Sequence, residues 1–232
     1  EAQIKALDQA WRLFIDLGKI AEAEEIARIL LERSETQILL RQELEKFLDK
    51  PIPTWRKNVE GFIHQKQPFR LTYQDASDRT YNFTVVHAEI KLLENHQYLA
   101  CTCDEKEGND DISELNYNWV LRLDRIQEAV VNPLKLPWQP ELDQITVTFR
   151  VYNRLAFNYG KSSHKPDDLT VSEITGDPPQ RTITRKIYST FWFFREITPY
   201  FNDCEIISPD SVRNHFRKKL RSLWERYRIT WV

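Results

Sequence analysis

Methionine is absent from the 232 residues, glycine occurs five times and cysteine three times. Three cysteines cannot build a disulfide framework, which points to a reducing, cytoplasmic setting. So few glycines leave no Gly-rich phosphate loop, and P-loop nucleotide hydrolysis is excluded. No apolar run approaches the roughly 18 residues that a membrane-spanning helix needs. No signal-peptide pattern opens the chain either. An excess of one charge is also missing: 33 basic side chains face 35 acidic ones, net −2, which gives no global electrostatic argument for nucleic acid, membrane or acidic partners. Because the missing methionines include an initiator, residue 1 reads as other than the natural start, with a segment expected upstream. What is present makes cores. The chain is 41% hydrophobic and 12% aromatic, with seven Trp, enough to exclude global disorder and to fill one or two domains.

Residues 1–50 read as a helical arm. Ile4, Leu7, Trp11 and Phe14 share one face, Gly18 interrupts, and Ile20, Ala23, Ala27, Leu30 and Leu31 restart the pattern. A third stretch through Ile38, Leu39, Leu44 and Leu48 ends at Pro51 and Pro53. One helical hairpin cannot make a solenoid, so the arm is expected to pack or dimerise. Thr54 then caps a short helix carrying Trp55, Val59, Phe62 and Ile63. Strand pattern follows at Phe69–Tyr73, Thr80–Ile90, Gln97–Thr102 and Trp119–Leu123, broken by turns at Gln74–Asp78 and Glu94–His96 and by an acidic loop, Asp104–Ser113. Over residues 51–137 this predicts a small antiparallel β-barrel. Pro133, Pro137 and Pro140 mark a linker. In residues 138–232, strands at Ile145–Val151, Arg181–Tyr188 and Cys204–Ile207 alternate with an aromatic helix from Thr190 towards Pro199 and a basic helix, Ser211–Tyr227. A Ser, Pro, Asp and Gly-containing spacer separates the first two strands. The expectation is a ferredoxin-like α+β sandwich, and the whole chain is α+β.

Four blocks carry a family likeness: Phe69 to Tyr73 after a helix, Arg79 with the strand through Val86, Gln97-Tyr98-Leu99-Ala100, and Leu121-Arg122-Leu123-Asp124-Arg125-Ile126. Together, over residues 54–132, they resemble the WYL domain family. Cys204 to Pro209, followed by Arg213 and a charged helix, is similar to the extension that follows WYL domains in many bacterial regulators. Gln97 stands where the family has Trp, which removes an aromatic wall, and His87 stands where Pro is common. The resemblance implies an Sm-like or SH3-like barrel whose pocket gathers basic and aromatic side chains. It implies a sensor, usually behind a winged helix-turn-helix, and in some cases a CRISPR-associated regulator. Several members bind single-stranded oligonucleotides. Carried over residue by residue, the ligand set is Tyr73, Arg79, His87, Tyr98, Arg122 and Arg125. DNA contact would come from an upstream domain absent from this chain, and the protein would be a homodimer.

The residue chemistry is compatible with that reading. Arg122 and Arg125 keep their charge and offer planar donor forks for phosphate or carboxylate, while Tyr73 and Tyr98 offer ring faces and hydroxyls. The plainer alternative pairs Arg122 or Arg125 with Asp124, buries Tyr98 in a core and makes His87 a satisfied strand residue. The last helix holds a second basic group: Arg213, Arg217, Lys218, Lys219, Arg221, Arg226 and Arg228. Residues 181–232 carry eleven basic and five acidic side chains, net +6, which leaves −8 for the first 180. That helix is a solvated face, a nucleic-acid contact, or a dimer surface meeting the acidic N-terminal half. Phe216, Trp224 and Tyr227 on its stripe read as core.

No cofactor site stands out. Cys101-x-Cys103 with His96 nearby lacks a fourth metal ligand, and the two thiols are expected on opposite strand faces. No serine elbow or Cys/His pair is visible. His64, His87, His96, His164 and His215 are scattered, although a metal-independent ribonuclease needs only one or two such groups. The leading expectation is a non-enzymatic cytoplasmic sensor for a single-stranded oligonucleotide or nucleotide-like ligand. The alternatives are a metal-independent RNA-processing or RNA-degrading enzyme and a protein-docking adaptor.

Overall fold

A computed structural model describes residues 2–17, 19–33, 38–49, 53–94, 96–126, 131–162 and 165–227. Gly18, Pro51, Asn95, His164 and Arg228, singled out above, lie outside the described residues. The class is α+β, with seven helices and two antiparallel sheets among the described residues. No helix among these residues is long and apolar enough to cross a membrane. The chain divides into two compact units, residues 1–105 with 119–142, and residues 106–118 with 143–232.

In the first unit, α1 (Ala2–Asp16), α2 (Ile20–Arg33) and α3 (Ile38–Leu48) enclose Trp11, Ala23, Ala27, Leu30 and Leu44. The alanines on α2 let neighbouring helices approach closely, and Trp11 meets Phe47 edge-on at 5.5 Å. Helix α4 (Thr54–His64) begins with Pro53, not Thr54, in the cap position, and no side chain caps it; proline's fixed φ makes it a ready entry to a helix. Val59 is buried, and Phe62 stacks on Phe69 at 5.5 Å.

Five strands follow: β1 (Phe69–Gln74), β2 (Thr80–Leu93), β3 (His96–Cys103), β4 (Asn118–Arg122) and β5 (Asn132–Pro133), in the order β4-β3-β2-β1-β5. The pairs Tyr73↔Tyr81, Leu71↔Phe83 and Phe69↔Val85 put these six side chains on one face. A bulge between Val85 and His87 inserts a residue, after which Ala88↔Cys101 and Ile90↔Leu99 continue that face. The sheet does not close into the expected barrel. Its edge strand β5 has two residues, one of them Pro133, which has no N–H to give a ladder. The two thiols expected on opposite faces share one, because residues two apart on a strand point the same way. Cys101 Sγ and Cys103 Sγ lie 3.6 Å apart, both buried. Burial pushes the Cys103 thiol well above its ordinary value, with Cys101 adding to the effect.

The second unit runs β6 (Ile145–Tyr152), α5 (Asn153–Ser162), β7 (Asp168–Val171), β8 (Gln180–Ile187), α6 (Thr190–Ile197), β9 (Cys204–Ser208) and α7 (Asp210–Tyr227). Its sheet order is β7-β8-β6-β9, every pair antiparallel. Helix α5 and strand β7 occupy the stretch read as a spacer; α5 brings Ala156 and Tyr159 into the core. Val147, Phe149, Ile183, Phe193, Ile206 and Val212 belong to that core, together with Ile112 and Leu115. The acidic loop is therefore a structural part of this unit. Asp111 accepts hydrogen bonds from the Thr190 N–H at 3.0 Å and from the Thr190 hydroxyl at 2.6 Å, at the start of α6, where a helix favours negative charge.

A buried ionic group ties β8 to β7, α5 and α6. Arg185 donates to Asp168 at 2.5 Å, to Glu196 at 2.7 Å and to the Tyr159 oxygen, over the ring of Phe149. The Tyr159 hydroxyl donates in turn to Asp168 at 2.9 Å. Burial alone would raise the Asp168 carboxyl, but Arg185, the Lys165 N–H and Tyr159 bring it below its ordinary value.

Candidate functional site

The six ligand residues expected on the first sheet separate into three places. Strand β4 ends at Arg122, and a 3-10 turn, Leu123–Arg125, brings Asp124 back beside it. Arg122 Nε donates to Asp124 Oδ1 at 3.0 Å, and Nη2 to Oδ2 at 2.5 Å. This is a bidentate pair. The Arg122 N–H donates to the buried Tyr73 hydroxyl at 3.4 Å. Asp124 raises the Arg122 guanidinium above its ordinary value, and the Tyr98 and Tyr73 phenols add to the effect. Tyr73 lies on the apolar face and Tyr98, paired with Lys91, on the opposite one. Arg125 is half-buried in the adjoining turn, and no ion pair is recorded for it among the described residues.

Arg79 lies elsewhere, at the tip of the β1–β2 hairpin. Asp75 accepts hydrogen bonds from the Ser77 N–H at 2.7 Å, the Arg79 N–H at 3.0 Å and Arg79 Nε at 2.7 Å. The guanidinium also sits over Tyr81 at 5.8 Å, and Tyr81 continues into Phe83 and Trp119. Tyr81 and Trp119, half-buried rings that sequence reading missed, form an aromatic cluster beside Arg79. Their signal was available in principle: cross-strand positions 73 and 81 pair, and aromatics on neighbouring strands meet.

His87 is in a third place. It is buried, with Nδ1 2.8 Å from the Gln139 carbonyl, Nε2 3.3 Å from Glu89, and its ring 5.2 Å from Trp138. His87 lowers the Glu89 carboxyl to about 2, with Lys91 helping against the effect of burial. Gln97 has a further role that its residue type did not announce. Its amide donates at 2.8 Å to the Ile15 carbonyl, in the last turn of α1, where carbonyls lack helical partners.

On α7, Arg213 pairs with Glu205 at 3.1 Å, Lys219 with Asp110 at 2.5 Å and Arg221 with Glu225 at 3.0 Å. Arg217 and Lys218 are exposed. Of the stripe read as core, Phe216 packs against it, but Trp224 is 50% and Tyr227 72% exposed. The reason is length. Eighteen residues make a helix of about 27 Å, whereas the five residues of β9 beside it span about 17 Å.

The described histidines do not converge. His64 ends α4, His87 lies under Trp138, His96 starts β3 on the surface, and His215 stacks on Phe194 at 5.5 Å. Among the described residues no three His, Cys, Asp or Glu side chains are grouped as a metal site would need.

No family model and no curated protein matches the chain. Among solved structures it is similar to proteasome accessory factor B/C (PafBC) of Arthrobacter aurescens, at 15% identity and a TM-score of 0.33, over 88% of this chain and 36% of that one. It is also similar to a CRISPR Cas-related protein, at 11% identity and a TM-score of 0.37, over 82% of this chain and 54% of that one. The chain spans about a third of the first protein and about half of the second. At these TM-scores neither likeness carries an argument about function.

Proposed function

We propose that this chain is a non-enzymatic sensor, the ligand-binding portion of a WYL-type regulator. In this reading it holds a single-stranded oligonucleotide or nucleotide-like ligand on the first sheet. The observation that carries the reading is Arg122 at the end of β4, within the motif Leu121 to Ile126, its guanidinium under the influence of the Tyr98 phenol and its N–H held by the Tyr73 hydroxyl. Asp124 now fills the Arg122 fork. Asp124 is 61% exposed, and an ion pair so open to water contributes little to stability. A phosphate can therefore take the carboxylate's place, accepting the same two charge-assisted hydrogen bonds. Arg79 with Tyr81 and Trp119 supplies a second cation beside rings, the combination that single-strand binders use for backbone and base. Helix α4 and the five strands read as an open relative of the Sm-like barrel. The βαββαβ order of the second sheet reads as ferredoxin-like. DNA contact would come from a domain outside these residues.

Titration with fluorescent pools of short single-stranded RNA and DNA in EDTA tests this. The wild type is expected to bind saturably and leave the oligonucleotides intact, with Arg122→Ala weakening binding ~10-fold, the loss of one charged contact. Cleavage of the RNA pool in EDTA would support the ribonuclease reading instead. Absence of any binding would leave the adaptor reading.

A further inference from the structure

Two thiols sit together in the core of the first unit. Cys101 and Cys103 lie on the apolar face of β3, 0% and 1% exposed, in the cluster that also holds Phe83, Val85, Leu99 and Leu121. Two residues along a strand separate Cα atoms by about 6.6 Å, so side chains at that spacing touch only when they turn towards each other. Here they do, with the two Sγ atoms 3.6 Å apart. Cys101 Sγ also donates to the Trp119 carbonyl on β4 at 3.7 Å.

Geometry decides what can join them. A disulfide would draw the sulfurs in to about 2.0 Å across a Cα separation at the far limit of the ~4.4–6.8 Å that such bonds span. A metal bridge asks for the opposite movement. Two metal–thiolate bonds of about 2.3 Å laid end to end hold sulfurs about 4.6 Å apart, an opening of about 1 Å from the present contact. Zinc takes three or four protein ligands, and no third His, Cys, Asp or Glu is grouped with the thiols among the described residues. The ion that fits is therefore soft and satisfied by two sulfurs. Charge narrows it further. Asp104 and Glu105 act on Cys103 as nearby negative charges, and an apolar core penalises any net charge. A monovalent ion between two thiolates leaves one negative charge there, whereas a divalent ion leaves none. The way in is the outermost strand, β4, only five residues long, since short edge elements open locally before the rest of a fold does.

We propose that Cys101 and Cys103 form a two-coordinate site for a soft divalent ion of the mercuric type. Both S–H protons pass to solvent, two metal–sulfur bonds form, the Cys101 hydrogen bond to Trp119 is given up, and no oxidation state changes. The product is electrically neutral. Because both ligands belong to one strand, the second bond is intramolecular, and the chelate outlasts competition from a monothiol in solution. Neither cysteine belongs to the Arg122 group, so the ion site and the ligand reading stand or fall separately.

Mercuric chloride added to the reduced full chain, followed by dialysis against an excess of a monothiol, tests this. Native mass spectrometry is expected to find one ion kept per chain in the wild type and in Cys204→Ala, and none in Cys101→Ala or Cys103→Ala. X-ray absorption at the mercury edge of the loaded wild type is expected to show two sulfur neighbours in line and nothing else bound. Zinc chloride carried through the same steps is expected to be removed. A wild type that keeps no mercury, retention by either Cys101→Ala or Cys103→Ala, loss in Cys204→Ala, a third ligand in the absorption spectrum, or retained zinc would overturn the proposal. The absorption spectrum depends on no substitution, so it decides the matter even where a variant fails to fold.

Discussion

Asp124 occupies the donor fork of Arg122, so the two residues compete with any ligand phosphate for one set of hydrogen bonds. Asp124→Asn removes the competing charge and leaves the guanidinium in place. If Arg122 binds phosphate, oligonucleotide affinity is expected to rise several-fold in this variant, read by the same anisotropy titration; unchanged or weaker binding would speak for a structural Arg122. Arg185 belongs to the fold. Asp168→Asn leaves its buried guanidinium with Glu196 as its one carboxylate partner and is expected to cost ~3–5 kcal/mol of the second unit's stability in urea unfolding. Because the folded Asp168 pKa lies below the unfolded value, its contribution is present above pH ~4 and is lost as pH falls through the folded value. The variant should therefore lose less stability than the wild type on acidification through that window. Residue roles were the least legible feature of the sequence. Arg79, Arg122 and His87 carry the right chemistry for a shared pocket, yet only Arg122 lies beside a ligand-type tyrosine, since Asp75 and Gln139 claim the other two. Spacing along strands does not reveal which carboxylate or carbonyl a long side chain will find.

Elements were more legible, because period and turn chemistry are local. The strands β1 to β4, β6, β8 and β9 and the helix α7 fall within a few residues of where alternation and helical spacing place them. Strand β7 has four residues, too few for alternation to separate it from the Ser, Pro, Asp and Gly around it, whereas Leu155, Ala156 and Tyr159 of α5 do keep helical spacing, a signal that the spacer reading missed. The 106–118 segment failed differently. Its acidic residues read only as a loop between strands, while Ile112 and Leu115, two residues in thirteen, anchor it in the second core. Gln97 links elements that are distant in sequence, since its amide ends α1. Gln97→Ala is expected to destabilise the α1 end by ~1 kcal/mol. Faster amide hydrogen exchange in the last turn of α1, with the sheet's exchange unchanged, would show it; unchanged exchange there would mean that water replaces the amide without loss.

At the scale of the whole molecule, a nearly neutral net charge conceals −8 over the first 180 residues and +6 over the last 52. The ligand reading rests on a smaller feature, one arginine at the end of β4 beside an exposed aspartate. Its most direct test is the salt dependence of oligonucleotide binding by the wild type and by Arg122→Ala. Each phosphate neutralised on a single strand contributes a slope of about −0.7 in log affinity against log salt. Loss of Arg122 is therefore expected to weaken binding and to flatten the slope by about that amount. Equal affinity and equal slope in the two proteins would contradict the assignment of Arg122 to the ligand.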